Sequence, residues 1–144
     1  MAKRVPQVLS AMTPFPHSVD RKATISEAQI FMLKHWIRHL PVTDGTELVG
    51  LVTDRDIKLM QSLPRAADDD LLQVHDICVE DIYTADISES LCKVLETMVK
   101  RHIGCALVTK ADKLVGIFTS TDACERFADY LARDYSLTPD DTAA

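Results

Sequence analysis

Apolar residues recur along the first half of the chain in a rhythm that changes from helical to strand-like. Between residues 25 and 37 they follow helical spacing, and Thr24-Ile25-Ser26-Glu27 has the spacing of a capping box. The largely apolar runs Leu40–Thr43 and Leu48–Val52 predict strands buried on both faces, joined by a turn at Asp44-Gly45. The remaining predicted elements are an extended piece over Pro16–Val19 and a helix over Asp54–Gln61. The pattern therefore predicts the order β-α-β-β-α.

The same order of elements recurs after a constant shift of 66 positions, which places Thr53 on Thr119 and Asp56 on Asp122. The second set of predicted elements covers Ile82–Ala85, Leu91–Ile103, Ala106–Thr109, Leu114–Phe118 and Thr121–Ala132. In the last helix, we expect an apolar face to pack inward, at Ala123, Phe127, Tyr130 and Leu131. The predicted fold is therefore α/β (α+β), with two β-α-β-β-α units related by pseudo-twofold symmetry.

Boundaries between these units follow from composition. The predicted division is an N-terminal lead segment at 1–13, a first unit at 14–62, a linker at 63–76, a second unit at 77–134 and a flexible tail at 135–144. The linker contains Pro64 and the acidic run Asp68-Asp69-Asp70, which is typical of a solvated loop. The chain of 144 residues, 47% of them hydrophobic, is long enough to bury a sizeable core.

Charge and cysteine content narrow the classes of function. A net charge of −6 argues against nucleic acid as a partner, and no apolar run approaches the roughly 20 residues of a membrane span. The first residues are basic but lack the apolar stretch of a signal peptide. Cys78, Cys92, Cys105 and Cys124 form no C-x-x-C pair, so we expect free, buried, reduced thiols and a cytoplasmic protein.

The phrases RHLPVTDGTELVGLVTDRDI and HIGCALVTKADKLVGIFTSTDA closely resemble tandem CBS motifs, the cystathionine β-synthase type. A pair of such motifs is called a Bateman module, and this chain resembles the stand-alone kind. The second copy departs from the pattern where Leu107 replaces the equivalent of Pro41. The resemblance implies a sensor that binds AMP, ADP, ATP or S-adenosylmethionine in clefts between the motifs. It also implies a homodimer that signals to an unidentified regulated protein and is not itself an enzyme.

Two helix starts are the leading candidates for nucleotide contacts. Thr53 and Thr119 stand where a strand gives way to a helix, and the free N–H groups of a first helical turn attract phosphate. Three residues later, Asp56 and Asp122 offer paired oxygens to the two adjacent hydroxyls of a ribose. The resemblance implies the same roles for these four residues.

Further candidates would contact the base and the phosphates. The extended pieces at Ser18-Val19 and Thr84-Ala85 would read the base edge through backbone groups. Arg55 and Arg38 would lie near phosphate in the first copy, where the second copy has Thr121 and Gly104. We therefore expect unequal clefts, of which the one with the arginines accepts di- and triphosphates better.

Other interpretations of the same residues remain open. Thr-x-x-Asp is also a plain helix cap, and the chain would then be a ligand-free dimeric adaptor. His35 and His39 have the spacing of a metal pair on a helix, although no further ligand is apparent and we expect no metal. A thiol-based redox protein is a third alternative, but no constellation of catalytic residues is evident, and we expect no enzyme.

Overall fold

The computed structural model describes residues 3–64 and 72–142 and contains the predicted repeat. The first part of the chain forms β1 (Thr13–Pro14), β2 (Val19–Asp20), α1 (Ile25–His35), β3 (His39–Asp44), β4 (Glu47–Thr53) and α2 (Asp54–Ser62). The second part forms β5 (Thr84–Asp86), α3 (Leu91–Arg101), β6 (Cys105–Lys110), β7 (Lys113–Thr119), α4 (Ser120–Asp134) and the short α5 (Pro139–Thr142). Two β-α-β-β-α units are thus confirmed.

Each repeat builds a small mixed sheet covered by its own helices. In the first repeat β3 pairs parallel with β2 and antiparallel with β4, and in the second β6 pairs in the same way with β5 and β7. The predicted capping box of α1 is present, since Thr24 Oγ1 accepts from the Glu27 N–H at 3.1 Å. Residues of both repeats then pack against one another in a shared cluster around Cys105, Leu107 and Ile117. This cluster holds the two halves together.

The segments that precede the two repeats are exchanged between them. Val8, in a single 3-10 turn at Val8–Ser10, is fully buried in the core of the second repeat. Val74, 66 residues later in an equivalent turn, is fully buried in the core of the first repeat. Residues of the predicted lead segment and linker therefore complete the two cores, so neither repeat is built from its own residues alone.

The glycines of the two repeated phrases make room for this exchange. A Cβ on Gly50 would lie 2.8 Å from the Cys78 sulfur, and one on Gly116 would overlap the Met12 sulfur. Met12 and Cys78 are themselves equivalent positions in the repeat. Because real Cβ atoms do not approach so closely, glycine is needed at both places for the crossing segments to pack on β4 and β7.

Two expectations were wrong in detail. Of the predicted inward face of α4, Ala123 packs against the core of the second repeat, but Phe127 is 61% exposed and no residue of the helix is fully buried. Cys92 and Cys124 are exposed instead of buried, because they lie on the outer faces of helices. The described part of the tail contains the short helix α5, whose Asp141 carboxylate accepts from the N–H and the hydroxyl of Thr138, and the flexibility of the tail stays a prediction. Among the described residues, no helix is long and apolar enough to cross a membrane.

Candidate functional site

Both predicted Thr-x-x-Asp pairs form reciprocal helix caps. Thr53 Oγ1 accepts from the Asp56 N–H at 3.1 Å, and the Asp56 carboxylate accepts from the Thr53 N–H at 3.1 Å. Thr119 and Asp122 repeat this at the start of α4, at 3.2 and 2.9 Å. The capping interpretation is therefore correct for both pairs, and it leaves open whether a ligand uses the remaining oxygen of either carboxylate.

One of the two caps faces a cavity of about 920 Å³ between the repeats, which we call the central cavity. Residues 13–17 form one wall, α1 and the start of β3 form another, and the start of α4 forms the floor. Of the predicted site residues, the central cavity brings together Thr119, Thr121, Asp122 and Arg38. Its size suits a nucleoside with a phosphate, since small-molecule pockets span about 300–1,000 Å³.

The two oxygens of Asp122 have different partners. Oδ2 accepts from the Thr119 N–H at 2.9 Å and from the Thr119 hydroxyl at 3.1 Å. Oδ1 has only a 3.4 Å contact with the hydroxyl of Thr13. An acceptor on the cavity floor is therefore open to a ligand hydroxyl without loss of the helix cap.

Charge in the central cavity is balanced. The lining contains the cations Arg38 and Lys58 and the carboxylates Asp54 and Asp122. Lys58 Nζ lies 2.8 Å from Asp54, so this pair largely neutralises itself. Arg38 is left as the cation best placed to meet an anionic group of a ligand.

His39 lies half-buried where the repeats meet, with Nε2 only 3.1 Å from where a Cβ on Gly104 would stand. Burial lowers the pKa of His39, the positive charge of Arg38 lowers this pKa further, and Asp56 opposes the shift. The imidazole is therefore neutral near pH 7, and it can offer a ligand one donor and one acceptor.

The other predicted site residues lie elsewhere in the described structure. Seven predicted site residues do not line the central cavity: Thr53, Asp56, Arg55, Ser18, Val19, Thr84 and Ala85. Arg55 is exposed on α2, so the structure does not bring it to the central cavity beside Arg38. The side chain of Ala85 is buried in the core, and the Val19 carbonyl accepts weakly from the Thr43 hydroxyl at 3.5 Å. The roles assigned to these residues stay predictions.

Sequence reasoning missed several residues of the central cavity, chiefly Thr13, Phe15, His17, Trp36, His39 and Asp54. Thr13 and Phe15 reach it through the segment that crosses to the second repeat, where Thr13 pairs with Ile117 and the Phe15 N–H donates to the Val115 carbonyl. Hydrophobic spacing alone does not reveal this crossing. Asp54 was detectable, because it directly follows Thr53 at the helix start. Trp36 fits the helical spacing predicted between residues 25 and 37, yet it is 95% exposed just beyond the end of α1.

The alternative chemistries have little support among the described residues. No group of three or more His, Cys, Asp or Glu side chains there is arranged to hold a metal ion. His35 stacks on His17, with ring centroids 4.1 Å apart, whereas His39 lies in β3. Burial raises the pKa of the Cys105 thiol to about 12, which leaves it without nucleophilic thiolate at neutral pH.

Comparison with known proteins agrees with this architecture. The profile of the CBS domain matches residues 7–60 and 74–129, so it includes the exchanged segments. Hypoxic response protein 1 of Mycobacterium tuberculosis is 27% identical over 113 residues, which are 78% of this chain and 78% of that protein.

Two solved structures share the fold over most of the chain. A Vibrio cholerae protein assigned to acetoin utilization (AcuB) superposes with a TM-score of 0.81 at 26% identity, covering 93% of this chain and 100% of that one. The CBS domain pair of protein MJ0100 superposes with a TM-score of 0.79 at 26% identity, covering 88% and 99%. The latter was solved in complex with 5′-methylthioadenosine and S-adenosyl-L-methionine.

Proposed function

This chain belongs to the CBS-domain family, and from that premise we propose that it is a regulatory module that binds an adenosine-containing ligand in the central cavity. The proposal rests on Oδ1 of Asp122, which lies on the floor of a cavity between two repeats and accepts only a long 3.4 Å contact from Thr13 among the described residues. A ribose hydroxyl donating to this oxygen would be oriented by a group that the helix cap already holds in place. The adenosine compounds bound by the related MJ0100 pair support this ligand class.

The charges of the central cavity favour a ligand with few phosphates. Arg38 is its one cation without a partner carboxylate among the described residues, because Lys58 is paired with Asp54. Asp122, the lining carboxylate that is not paired with Lys58, would repel the extra charges of a triphosphate. We therefore propose AMP or a similarly small adenosine compound as the preferred ligand, with ADP and ATP as weaker alternatives.

Signalling would follow from the position of the cavity between two halves. A ligand that contacts both repeats favours the placement of the halves in which those contacts are made. A partner protein that recognises this placement would then bind with changed affinity. By linkage, that partner would change the ligand affinity by the same factor.

A homodimer is part of the proposal. Several helices expose large apolar side chains, among them Leu33 on α1, Val99 on α3 and Phe127 on α4. Leu33 and Val99 occupy equivalent positions in the repeat, so the two halves present similar apolar faces. These faces also favour the second candidate function, a dimeric adaptor that needs no ligand.

A thermal-shift screen distinguishes the two candidates. The purified chain would be heated with AMP, ADP, ATP, 5′-methylthioadenosine and S-adenosylmethionine, and with GMP and CMP as controls. A ligand present at 100 times its dissociation constant stabilises the fold by about 2.7 kcal/mol, which moves the melting temperature by several degrees. Stabilisation by at least one adenosine compound, and not by CMP, supports the sensor. If none of the adenosine compounds shifts the melting temperature at millimolar concentration, the adaptor remains.

A further inference from the structure

Two large aromatic side chains are exposed to solvent at the edge of the central cavity. Phe15 is 92% exposed and Trp36 is 95% exposed, and both contribute to the cavity lining. A single exposed apolar residue needs no explanation, but two of the largest side chains at one opening form an unpartnered apolar surface.

The backbone holds both aromatic residues in an unusual conformation. Phe15 has φ 48° and Trp36 has φ 56°, in the left-handed region that is costly for residues with a side chain. Trp36 ends α1 in this conformation, with its N–H bonded to the Met32 carbonyl. The backbone of the two residues is therefore set by the fold, in advance of any ligand.

The segment that bears Phe15 is fixed to the helix that bears Trp36. The ring of His17 stacks on His35, with centroids 4.1 Å apart, and meets the edge of Phe31 at 5.3 Å. His17 lies two residues after Phe15, and His35 directly precedes Trp36. This stack holds together the two backbone segments that carry Phe15 and Trp36.

The other half of the repeat has no such aromatic pair. The positions equivalent to Phe15 and Trp36 are Asp81 and His102. His102 shares the left-handed conformation, with φ 53°, but Asp81 instead lies 3.7 Å from Arg101. The aromatic pair therefore occurs at the central cavity but not at the equivalent positions of the second repeat. Its presence is not explained by the structure that the two repeats share.

We propose that Trp36 and Phe15 are specificity-determining residues that stack on the planar base of the ligand while Asp122 and Arg38 hold its sugar and phosphate. This inference rests on the proposed function, since it assigns the base to one end of the same cavity. Stacking on aromatic side chains suits any purine, and its loss on truncation to alanine weakens binding by about tenfold to a hundredfold.

Trp36 is the only tryptophan of the chain, so its fluorescence reports directly on this contact. Titration of the full chain with AMP should quench or shift the emission, and saturation should follow the dissociation constant obtained by calorimetry. Ribose 5-phosphate, which lacks a base, should bind more weakly and leave the emission unchanged. Emission that does not respond to bound AMP would overturn the inference.

Matched variants complete the test. Trp36→Ala and Phe15→Ala should each weaken AMP by about tenfold or more and leave ribose 5-phosphate unaffected, and Trp36→Phe should restore most of the affinity. The controls Asp81→Ala and His102→Ala change the equivalent positions and should bind AMP as the unmodified chain does.

The outcomes separate this inference from the proposal beneath it. If AMP binds Trp36→Ala and Phe15→Ala as tightly as the unmodified chain, the aromatic role is wrong and the proposed function stands. If Trp36→Ala changes the oligomeric state instead of the affinity, the aromatic surface belongs to an interface and the inference is overturned. If no adenosine compound binds the unmodified chain, the proposed function fails and this inference fails with it.

Discussion

At the scale of single residues, the carboxylate of Asp122 caps the helix with one oxygen and, in the proposed function, offers the other oxygen to a ligand in the central cavity. Oδ2 completes the cap of α4, and Oδ1 remains available beside Thr13. Asp56 completes the equivalent cap of α2, but it does not belong to the lining of the central cavity. Substitution of Asp56 therefore tests the loss of a helix cap alone, whereas substitution of Asp122 tests the loss of a cap together with the proposed ligand contact.

Arg38 offers a test of the phosphate contact. Arg38→Ala should weaken AMP by about tenfold, because a charge-assisted hydrogen bond is lost, and should leave adenosine unaffected. Calorimetric titration of both ligands measures the difference. Arg55→Ala is the control, since Arg55 is exposed on α2 outside the central cavity, and it should bind AMP normally. A loss confined to Arg55→Ala would move the phosphate to the other side of the module.

His39 predicts how stability depends on pH. Burial and Arg38 lower the pKa of His39 in the folded chain, so below about pH 6.5 the unfolded chain takes up the proton more readily. The contribution of His39 to the free energy of unfolding should therefore be constant above pH 6.5 and should fall as the pH drops below 6.5. Denaturant titrations at pH 7.5 and 5.5 measure the loss, which should be smaller in His39→Gln. If the unmodified chain and His39→Gln lose the same free energy of unfolding, the pH dependence does not come from His39. It would then be attributed to His35, whose pKa is also lowered.

The residue types of the site were predictable from sequence, but their grouping was only partly so. Thr119 and Asp122 could be found because hydroxyl and carboxylate recur with the spacing of a cap in both repeats. That Arg38 of the first repeat would line the same cavity as this pair of the second, and that Arg55 would not, depends on how the two repeats pack together. Such long-range packing leaves no local periodicity from which it could be inferred.

At the scale of elements, the helix starts and strands were predicted well because strong local signals mark them. Capping boxes fix the starts of α1, α2 and α4, and apolar runs fix the paired strands. The inward face of α4 was predicted correctly only at Ala123, since an amphipathic pattern gives the apolar side of a helix but does not identify what covers it. Phe127 and Tyr130 of that face are exposed in the single chain.

The two crossing turns make a prediction about cooperativity. Val8→Ala and Val74→Ala should each lower the free energy of unfolding by about 2 kcal/mol, because both valines are fully buried and each leaves a small cavity. Chemical denaturation should give one transition in both variants. Val8 precedes the first repeat but lies in the core of the second, and Val74 precedes the second repeat but lies in the core of the first, so each change affects both halves. Val5→Ala, at an exposed position before the first turn, is the control and should change stability little. Two separate transitions would show that the halves are not interdependent.

At the scale of the whole molecule, the exposed helix faces predict self-association. Phe127→Glu should shift the chain from dimer to monomer, because a charge would be buried in an apolar interface. Light scattering after size exclusion measures the mass of both proteins. Glu125→Gln, on the same helix, is the control and should remain dimeric. A monomeric unmodified chain at micromolar concentration would contradict the dimer.

The most direct test of the account is calorimetric titration of AMP into the unmodified chain, Asp122→Asn and Asp56→Asn. Both variants weaken an equivalent helix cap, but only Asp122 lines the central cavity. We predict one AMP per chain for the unmodified protein and for Asp56→Asn, with affinity reduced by about tenfold or more in Asp122→Asn. Equal binding by all three proteins, or a loss confined to Asp56→Asn, would contradict the claim that the ligand lies in this cavity.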